Sequence, residues 1–197
     1  FFIGGAFAED AMKEIKITKE WKINSNSTFE LVANKQNYKV EFWEKDAVRI
    51  DFIMKTNKSD FTAKDFEEMM SISANNSGNK LTVSTNLDLD KSSSIWDWIV
   101  KTKDKIIKTA EYDDNCILYL PKNLSQLNFN ISYSNLKIGE INVPLKISSS
   151  YSDINVLKNL NKTIISSSYG DLNLGNMSNV KINSTYGSFI IGDIDTL

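Results

Sequence analysis

The chain has 197 residues, with 23 Lys and Arg against 25 Asp and Glu, and a formal net charge of −2. It contains no histidine, which excludes Ser-His-Asp and Cys-His catalysis and histidine-ligated zinc. The two signs of charge are interspersed, which excludes the concentrated basic face expected of a nucleic-acid-binding protein.

The first ten residues, FFIGGAFAED, are similar to the end of a secretory signal peptide. An apolar run is followed by Ala6-Phe7-Ala8, which has the small-x-small pattern of a cleavage site, and then by Glu9 and Asp10. We therefore expect residues 1–8 to be the remnant of a signal peptide and the mature protein to begin near Glu9. An ordinary apolar first strand is the alternative.

Residues 9–56 have the alternation of apolar and polar residues that is typical of β-strands. When Asn37 is aligned with the tyrosines of the repeats described below, Leu31, Ala33, Val40 and Phe42 fall on apolar positions of the repeat. Residues 29–56 are therefore predicted to form a degenerate first coil and one further strand.

A short helix is predicted near residues 62–70. Thr62 and Asp65 have the spacing of a capping box, and Phe61 and Phe66 have that of a hydrophobic staple. A hairpin should follow, with its turn at Ser77-Gly78-Asn79.

An irregular insertion follows near residues 92–108, with sequence SSSIWDWIVKTKDKIIK. Trp96 and Trp98 in this segment either present aromatic rings to a partner or cover part of the core. Residues 59–108 are thus expected to comprise helix, hairpin and flap. Cys116 begins the apolar run CILYLP and is expected to be a buried strand residue.

The segment 116–197 is internally repetitive. Tyr133, Tyr151, Tyr169 and Tyr186 lie 18, 18 and 17 residues apart in similar local sequences. A short fixed period indicates that each unit buries its apolar residues against the next unit.

Apolar residues occupy every second position on both sides of each tyrosine, which indicates two strands that meet at a polar corner. Four positions before the tyrosines lie Phe129, Ile147, Ile165 and Ile182. Three positions after them lie Leu136, Ile154, Leu172 and Phe189. We expect each set to form one buried column. The pattern predicts an all-β fold, a β-helix-like β-solenoid of single-strand rungs with coils of about 18 residues. An antiparallel meander is the alternative.

Asp153 and Asp171 share one position after the corner, where the flanking units have Asn135 and Ser188. Such a row fits a ladder of solvated turn residues. A carboxylate pair of a glycosidase or a calcium site is the alternative interpretation.

Three stretches resemble a known family: NKQNYKVEFWEKDAVRIDF, CILYLPKNLSQLNFNISYSNLKIGEI and SSSYGDLNLG. They are similar to adhesin-like β-solenoid domains of unknown function in bacterial cell-envelope proteins. In that family an Asn-Tyr-Gly corner precedes short strands, and a strand ending in Leu-Pro-Lys leads into the repeats. Tyr169-Gly170 and Tyr186-Gly187 match this corner, whereas Tyr133-Ser134 and Tyr151-Ser152 lack its glycine. The resemblance implies structural tyrosines and supplies no catalytic residues.

We therefore expect residues 9–197 to form a single β-solenoid domain. Its expected function is that of a non-enzymatic, adhesin-like module of the periplasm, the outer membrane surface or the secreted fraction. No catalytic, cofactor-binding or metal-binding residue is expected, and neither is a membrane span in the mature chain. The expected partner is a glycan or another envelope protein. A carbohydrate-active protein, or a periplasmic ligand or signalling module using Trp96 and Trp98, is the alternative.

Overall fold

A computed structural model describes residues 13–56, 60–88, 115–159 and 161–195. The predicted all-β class is confirmed, with one short helix in the described residues. The elements are β1 (Lys13–Lys22), β2 (Thr28–Asn34), β3 (Asn37–Trp43), β4 (Ala47–Thr56), α1 (Ala63–Glu68), β5 (Met70–Ser77), β6 (Lys80–Leu87), β7 (Asn115–Pro121), β8 (Gln126–Ser132), β9 (Leu136–Ile141), β10 (Leu145–Ser150), β11 (Ile154–Asn159), β12 (Thr163–Ser168), β13 (Leu172–Ser178), β14 (Val180–Thr185), β15 (Phe189–Ile191) and β16 (Ile194–Asp195).

The strands form two mixed sheets. The seven-stranded sheet has the order β14-β12-β10-β8-β2-β6-β5, and the nine-stranded sheet has the order β1-β4-β7-β3-β9-β11-β13-β15, with β16 beside β13. Strands of the repeats pair in parallel, whereas β4 pairs antiparallel with β1 and β7, and β5 pairs antiparallel with β6.

Each repeat unit contributes one strand to each sheet, and equivalent residues pair between successive units. In the seven-stranded sheet Phe129 pairs with Ile147, Ile147 with Ile165, and Ile165 with Ile182. Parallel pairing between units contradicts the antiparallel meander, because a meander reverses direction at every strand. A closed β-solenoid remains a prediction.

The alignment of the first copy through Asn37 is wrong by two residues. Lys35 occupies the corner position of the tyrosines, since its strand pairs Asn34 with Ser132, and both Lys35 and Tyr133 have positive φ angles of 60° and 51°. The error is invisible in the burial pattern because side chains alternate with period two, so a shift of two residues leaves every side chain on the same face.

The predicted columns form in the interior between the strands of the repeats. Ile147, Ile165, Ile154 and Leu172 are buried. Ile182 and Phe189 were also expected to be buried, but Ile182 is only partly buried and 59% of the surface of Phe189 is exposed. The reason is the place of their strands, because β14 and β15 each have a strand partner on one side only, β12 and β13 respectively.

The predicted helix and hairpin are confirmed. Thr62 caps α1 in a capping box with Asp65, and Phe61 and Phe66 are both buried. The turn between β5 and β6 uses Gly78 with a φ of 61°, a conformation that glycine adopts readily. Helix α1 contacts β1 and β5, which are edge strands of the two sheets, and so covers that end of the core.

Cys116 is buried in β7, as expected. The predicted signal remnant at 1–8 and the insertion at 92–108 with Trp96 and Trp98 lie outside the described residues. No helix within the described ranges has the length and hydropathy needed to cross a membrane.

Candidate functional site: a tyrosine ladder between polar rows

The four repeat tyrosines lie where the chain turns from the seven-stranded sheet into the nine-stranded sheet. All four adopt the left-handed conformation, with φ of 51° at Tyr133 and Tyr151, 58° at Tyr169 and 56° at Tyr186. This region is uncommon for residues other than glycine, asparagine and aspartate. The hydrogen bonding between neighbouring units nevertheless continues through the corner, because Tyr133 and Tyr151 donate their N–H groups to the carbonyls of Ser150 and Ser168.

The corner conformation brings the four rings into one stack, which we call the tyrosine ladder. Ring centroids of neighbours are 4.9, 4.8 and 4.9 Å apart, and the rings are inclined by 1°, 3° and 8°. Between 47% and 71% of each tyrosine is exposed. Because each inner ring has a neighbour on both faces, Tyr151 and Tyr169 offer solvent their edges and phenol groups and not their ring faces.

Two rows of uncharged polar side chains border the ladder on the outer face of the seven-stranded sheet. The first polar row immediately precedes the corners and comprises Asn86, Asn34, Ser132, Ser150, Ser168 and Thr185. The second polar row lies two residues earlier and comprises Ser84, Val32, Asn130, Ser148, Ser166 and Asn183. Hydroxyl and carboxamide groups occupy every position of both rows except Val32.

A groove of about 1130 Å³ lies over these rows. Its lining includes Tyr133, residues 70–73 of β5 and most members of the two polar rows. Within it Ser132 and Ser150 share a hydrogen bond of 2.9 Å between their hydroxyls, and Asn34 donates to Asn86 at 2.8 Å. The remaining hydroxyl and carboxamide groups make the groove able to donate and accept hydrogen bonds along its length.

A third row runs along the other side of the ladder, two residues after each corner, and we call it the corner row. It comprises Asn37, Asn135, Asp153, Asp171 and Ser188. The side-chain oxygen of each of the first four accepts the backbone N–H of the next member at 2.9 Å. This arrangement is the predicted ladder of turn residues, and it includes Asn37.

The carboxylates of the corner row are hydrogen-bond acceptors for the backbone. The backbone N–H and the hydroxyl of Ser188 both donate to Asp171 and hold the pKa of that carboxyl below its ordinary value. A general acid needs the opposite shift, because it must stay protonated near neutral pH. No group of three or more potential metal-ligating side chains occurs in the described parts of the chain.

The outer face of the nine-stranded sheet differs from the polar rows because it carries charge and aromatic stacking. Asp51 is completely buried there and is bound by Lys16, Arg49 and Thr18, each at 2.8 Å. Arg49 lies over the ring of Tyr119, which stacks on Trp43 at 5.3 Å. The alternation of β4 predicts that Asp51 faces away from the core, but nothing in the sequence predicted that its neighbours would cover it.

Sequence reasoning identified the four tyrosines as corner residues but missed their exposure, their left-handed backbone and the polar rows beside them. The common spacing of the tyrosines is the signal that could have predicted the stack, since equivalent residues of successive strands lie one strand spacing apart. Trp96 and Trp98, the predicted partner contacts, lie outside the described residues.

No family model matches the chain, and no curated protein matches it. One solved structure, a "putative cell adhesion protein" from Clostridium sporogenes ATCC 15579, is similar at a TM-score of 0.40 and 9% sequence identity. The similarity covers 93% of this chain and 98% of that chain. Values this low establish neither a common fold nor a common function.

Proposed function

We propose that this chain is a non-enzymatic, adhesin-like binding module that works outside the cytoplasm, at the cell envelope or surface. We further propose that its repeats are coils of a β-solenoid, whose constant register presents equivalent side chains in straight rows. The observation that carries the proposal is the tyrosine ladder, with four exposed aromatic residues stacked at one corner.

The conformation of the ladder supports a binding role. A left-handed backbone costs roughly 1–2 kcal/mol for an ordinary L-residue. Asparagine or glycine would fit these corners at lower cost, yet tyrosine occupies four successive ones. Stacking returns about 0.5–1.5 kcal/mol per aromatic pair and therefore offsets much of this cost. What distinguishes the result is a rigid, exposed aromatic row of the kind that partners recognise.

The binding proposal is tested by sedimentation of the purified protein with cell envelopes of the organism that produces it. Tyr151→Asn together with Tyr169→Asn removes the centre of the ladder, and asparagine tolerates the left-handed corner. Lys35→Asn is the matched control, because Lys35 has the same corner conformation outside the ladder. We expect the double variant to lose about tenfold or more in affinity and the control to bind as the wild type does. The proposal would be overturned if the wild type did not bind envelopes, or if the double variant bound them as tightly as the wild type does.

The extracytoplasmic location rests on the sequence around Ala6-Phe7-Ala8. N-terminal sequencing of the protein from its natural source tests it. A mature chain that begins at or near Glu9 supports export, and one that retains FFIGGAFA contradicts it.

The non-enzymatic character is tested at the corner row, where Asp153 and Asp171 are the candidate carboxylate pair. Asp153→Asn with Asp171→Asn should preserve folding and binding, because Asn37 and Asn135 already accept the same backbone hydrogen bonds in this row. Polysaccharide cleavage by the wild type that disappears in this double variant would identify an enzyme instead.

A further inference from the structure

We propose that the two polar rows, bordered by the tyrosine ladder, bind a neutral, extended polysaccharide whose chain runs across the strands. This inference rests on the proposed binding function and names the chemical class of its partner.

The absence of charge in the rows selects a neutral ligand. None of the twelve positions of the two polar rows is ionisable. Apart from Lys35, which lies at the corner level with Tyr133, charges on this outer face begin one row farther from the corner, where Glu30 pairs with Lys80 and where Lys146 and Lys181 lie. An anionic ligand lying along the rows would therefore lose part of its hydration and gain an ion pair at most at Lys35, and a cationic ligand would gain none.

The chemistry of the rows suits a polyol. A serine hydroxyl and an asparagine carboxamide each donate and accept hydrogen bonds, as do the vicinal hydroxyls of a sugar. Asn130, Ser166 and Asn183 are exposed on the second polar row. The corner row is different, because one side-chain oxygen of each of its first four members already accepts a backbone N–H group.

The geometry of the rows suits a chain and not a single sugar. Six strands at about 4.8 Å spacing give each row a length of roughly 24 Å. In an extended β-1,4-linked polysaccharide each sugar ring advances the chain by about one strand spacing, and successive rings present alternate edges. One sugar per strand would thus repeat the same contacts at every second strand of the rows, four of whose strands line the groove of about 1130 Å³.

The tyrosine ladder contributes to the polysaccharide-binding face through the ring edges and phenol groups of its tyrosines. Since the faces of Tyr151 and Tyr169 are covered by their neighbours, a sugar cannot stack flat on them. Their phenol hydroxyls instead form a further row of donors and acceptors parallel to the polar rows, and their ring edges add apolar contact. This arrangement recognises a chain along its side.

The proposal is tested by affinity electrophoresis of the 197-residue chain in native gels. The probes are hydroxyethyl cellulose and galactomannan as extended neutral chains, dextran as a flexible neutral chain, and polygalacturonate as an anionic chain. We expect retardation by at least one extended neutral chain and less by dextran or polygalacturonate. Retardation by polygalacturonate or dextran alone, or by none of the four, would overturn the inference.

Two double variants with the same charge change locate the site. Ser148→Glu with Ser166→Glu places two carboxylates in the second polar row, and we expect it to weaken retardation by about tenfold or more. Asn155→Glu with Asn173→Glu places the same charges on the outer face of the nine-stranded sheet and should bind as the wild type does. Equal loss in both variants contradicts the assigned face. Thermal unfolding of each variant checks that it is folded.

Envelope sedimentation separates failure of this inference from failure of the proposed function. If ladder-dependent binding to envelopes persists while every neutral polysaccharide fails, and protease treatment of the envelopes abolishes it, the partner is a protein. That result would contradict the polysaccharide inference and support the proposed binding function. If neither envelopes nor polysaccharides bind, both proposals are wrong.

Discussion

Asp51 is a buried carboxylate on the outer face of the nine-stranded sheet, and its contacts stabilise that face. Burial acts to raise its pKa, but hydrogen bonds from Arg49, Lys16 and Thr18 outweigh burial and hold the pKa below its ordinary value. A carboxylate whose pKa is lower in the folded state stabilises the fold above the pKa of the unfolded chain. That contribution is lost as the pH falls through the folded pKa.

We expect Asp51→Asn to lower the free energy of unfolding by about 1–3 kcal/mol at pH 7, because the hydrogen bonds from three side chains weaken together. The difference between variant and wild type should shrink below about pH 4, where the unfolded carboxyl is itself protonated. Urea unfolding at pH 7 and pH 3 measures both values. A difference that is the same at the two pH values would contradict the assigned role of the ionised group.

Gly175 illustrates a close approach between backbones of neighbouring repeats. A Cβ built at Gly175 would lie 1.8 Å from the carbonyl oxygen of Leu157, whereas one built at Gly139 meets nothing within 4 Å. Both glycines lie six residues after a corner tyrosine, so they form a matched pair.

We expect Gly175→Ala to destabilise the protein by about 1–3 kcal/mol, because the strand must move to admit the methyl group. Gly139→Ala should be within about 0.5 kcal/mol of the wild type, as is usual for surface substitutions. Chemical denaturation of the two variants gives the comparison. Equal stabilities would show that β13 is free to shift away from β11.

At the scale of the elements, the repeats are held together by columns of apolar side chains between parallel strands in register. Ile165 lies in the middle of its column and is completely buried between Ile147 and Ile182. Its chain neighbour Ser166 points to the opposite face and is exposed. The two positions therefore share a strand and differ only in the face they occupy.

Ile165→Asp should cost at least about 3 kcal/mol, because it buries a charge that has no partner. Ser166→Asp, the control in the same strand, should leave the melting temperature nearly unchanged. Differential scanning calorimetry measures both. A melting temperature for Ile165→Asp equal to that of the wild type would mean that the column is not a closed interior.

For the whole molecule, the two ends of the sheets are not equivalent. At one end α1 covers the core beside the edge strands β1 and β5. At the other end lie β14, β15 and β16, where Phe189, Ile190 and Ile194 are 59%, 68% and 50% exposed. Regions with few buried apolar contacts open locally at lower free energy than the rest of a fold.

We expect hydrogen exchange to follow this asymmetry. Amides of β14 and β15 should exchange faster than those of the central strands β8–β11, which have a strand partner on both sides. Mass spectrometry of peptides from the exchanging protein measures the gradient, and the strands beside α1 are the internal control. Protection of β14 and β15 equal to that of β8–β11 would contradict the expected gradient.

Much of the repeat architecture could be predicted because it follows from periodic patterns in the sequence. Alternation with period two decides which face a residue occupies, and the 18-residue period decides which residues are equivalent. The columns through Ile147 and Ile165 follow from the 18-residue period, and the helix cap at Thr62 and the turn at Gly78 follow from spacing over a few residues. The first copy was misaligned because Lys35 has none of the chemistry of the tyrosines whose corner it shares.

The sequence by itself determined that the chain is all-β, that its corners recur and which residues line the interior. Only the tertiary structure decided what the corners present to solvent. Strand pairing brings residues 18 positions apart to one strand spacing, and the left-handed turn directs each tyrosine outward onto its neighbour. The polar rows and the covered carboxylate of Asp51 arise in the same way, since lateral neighbours in a sheet are set by register and not by sequence separation.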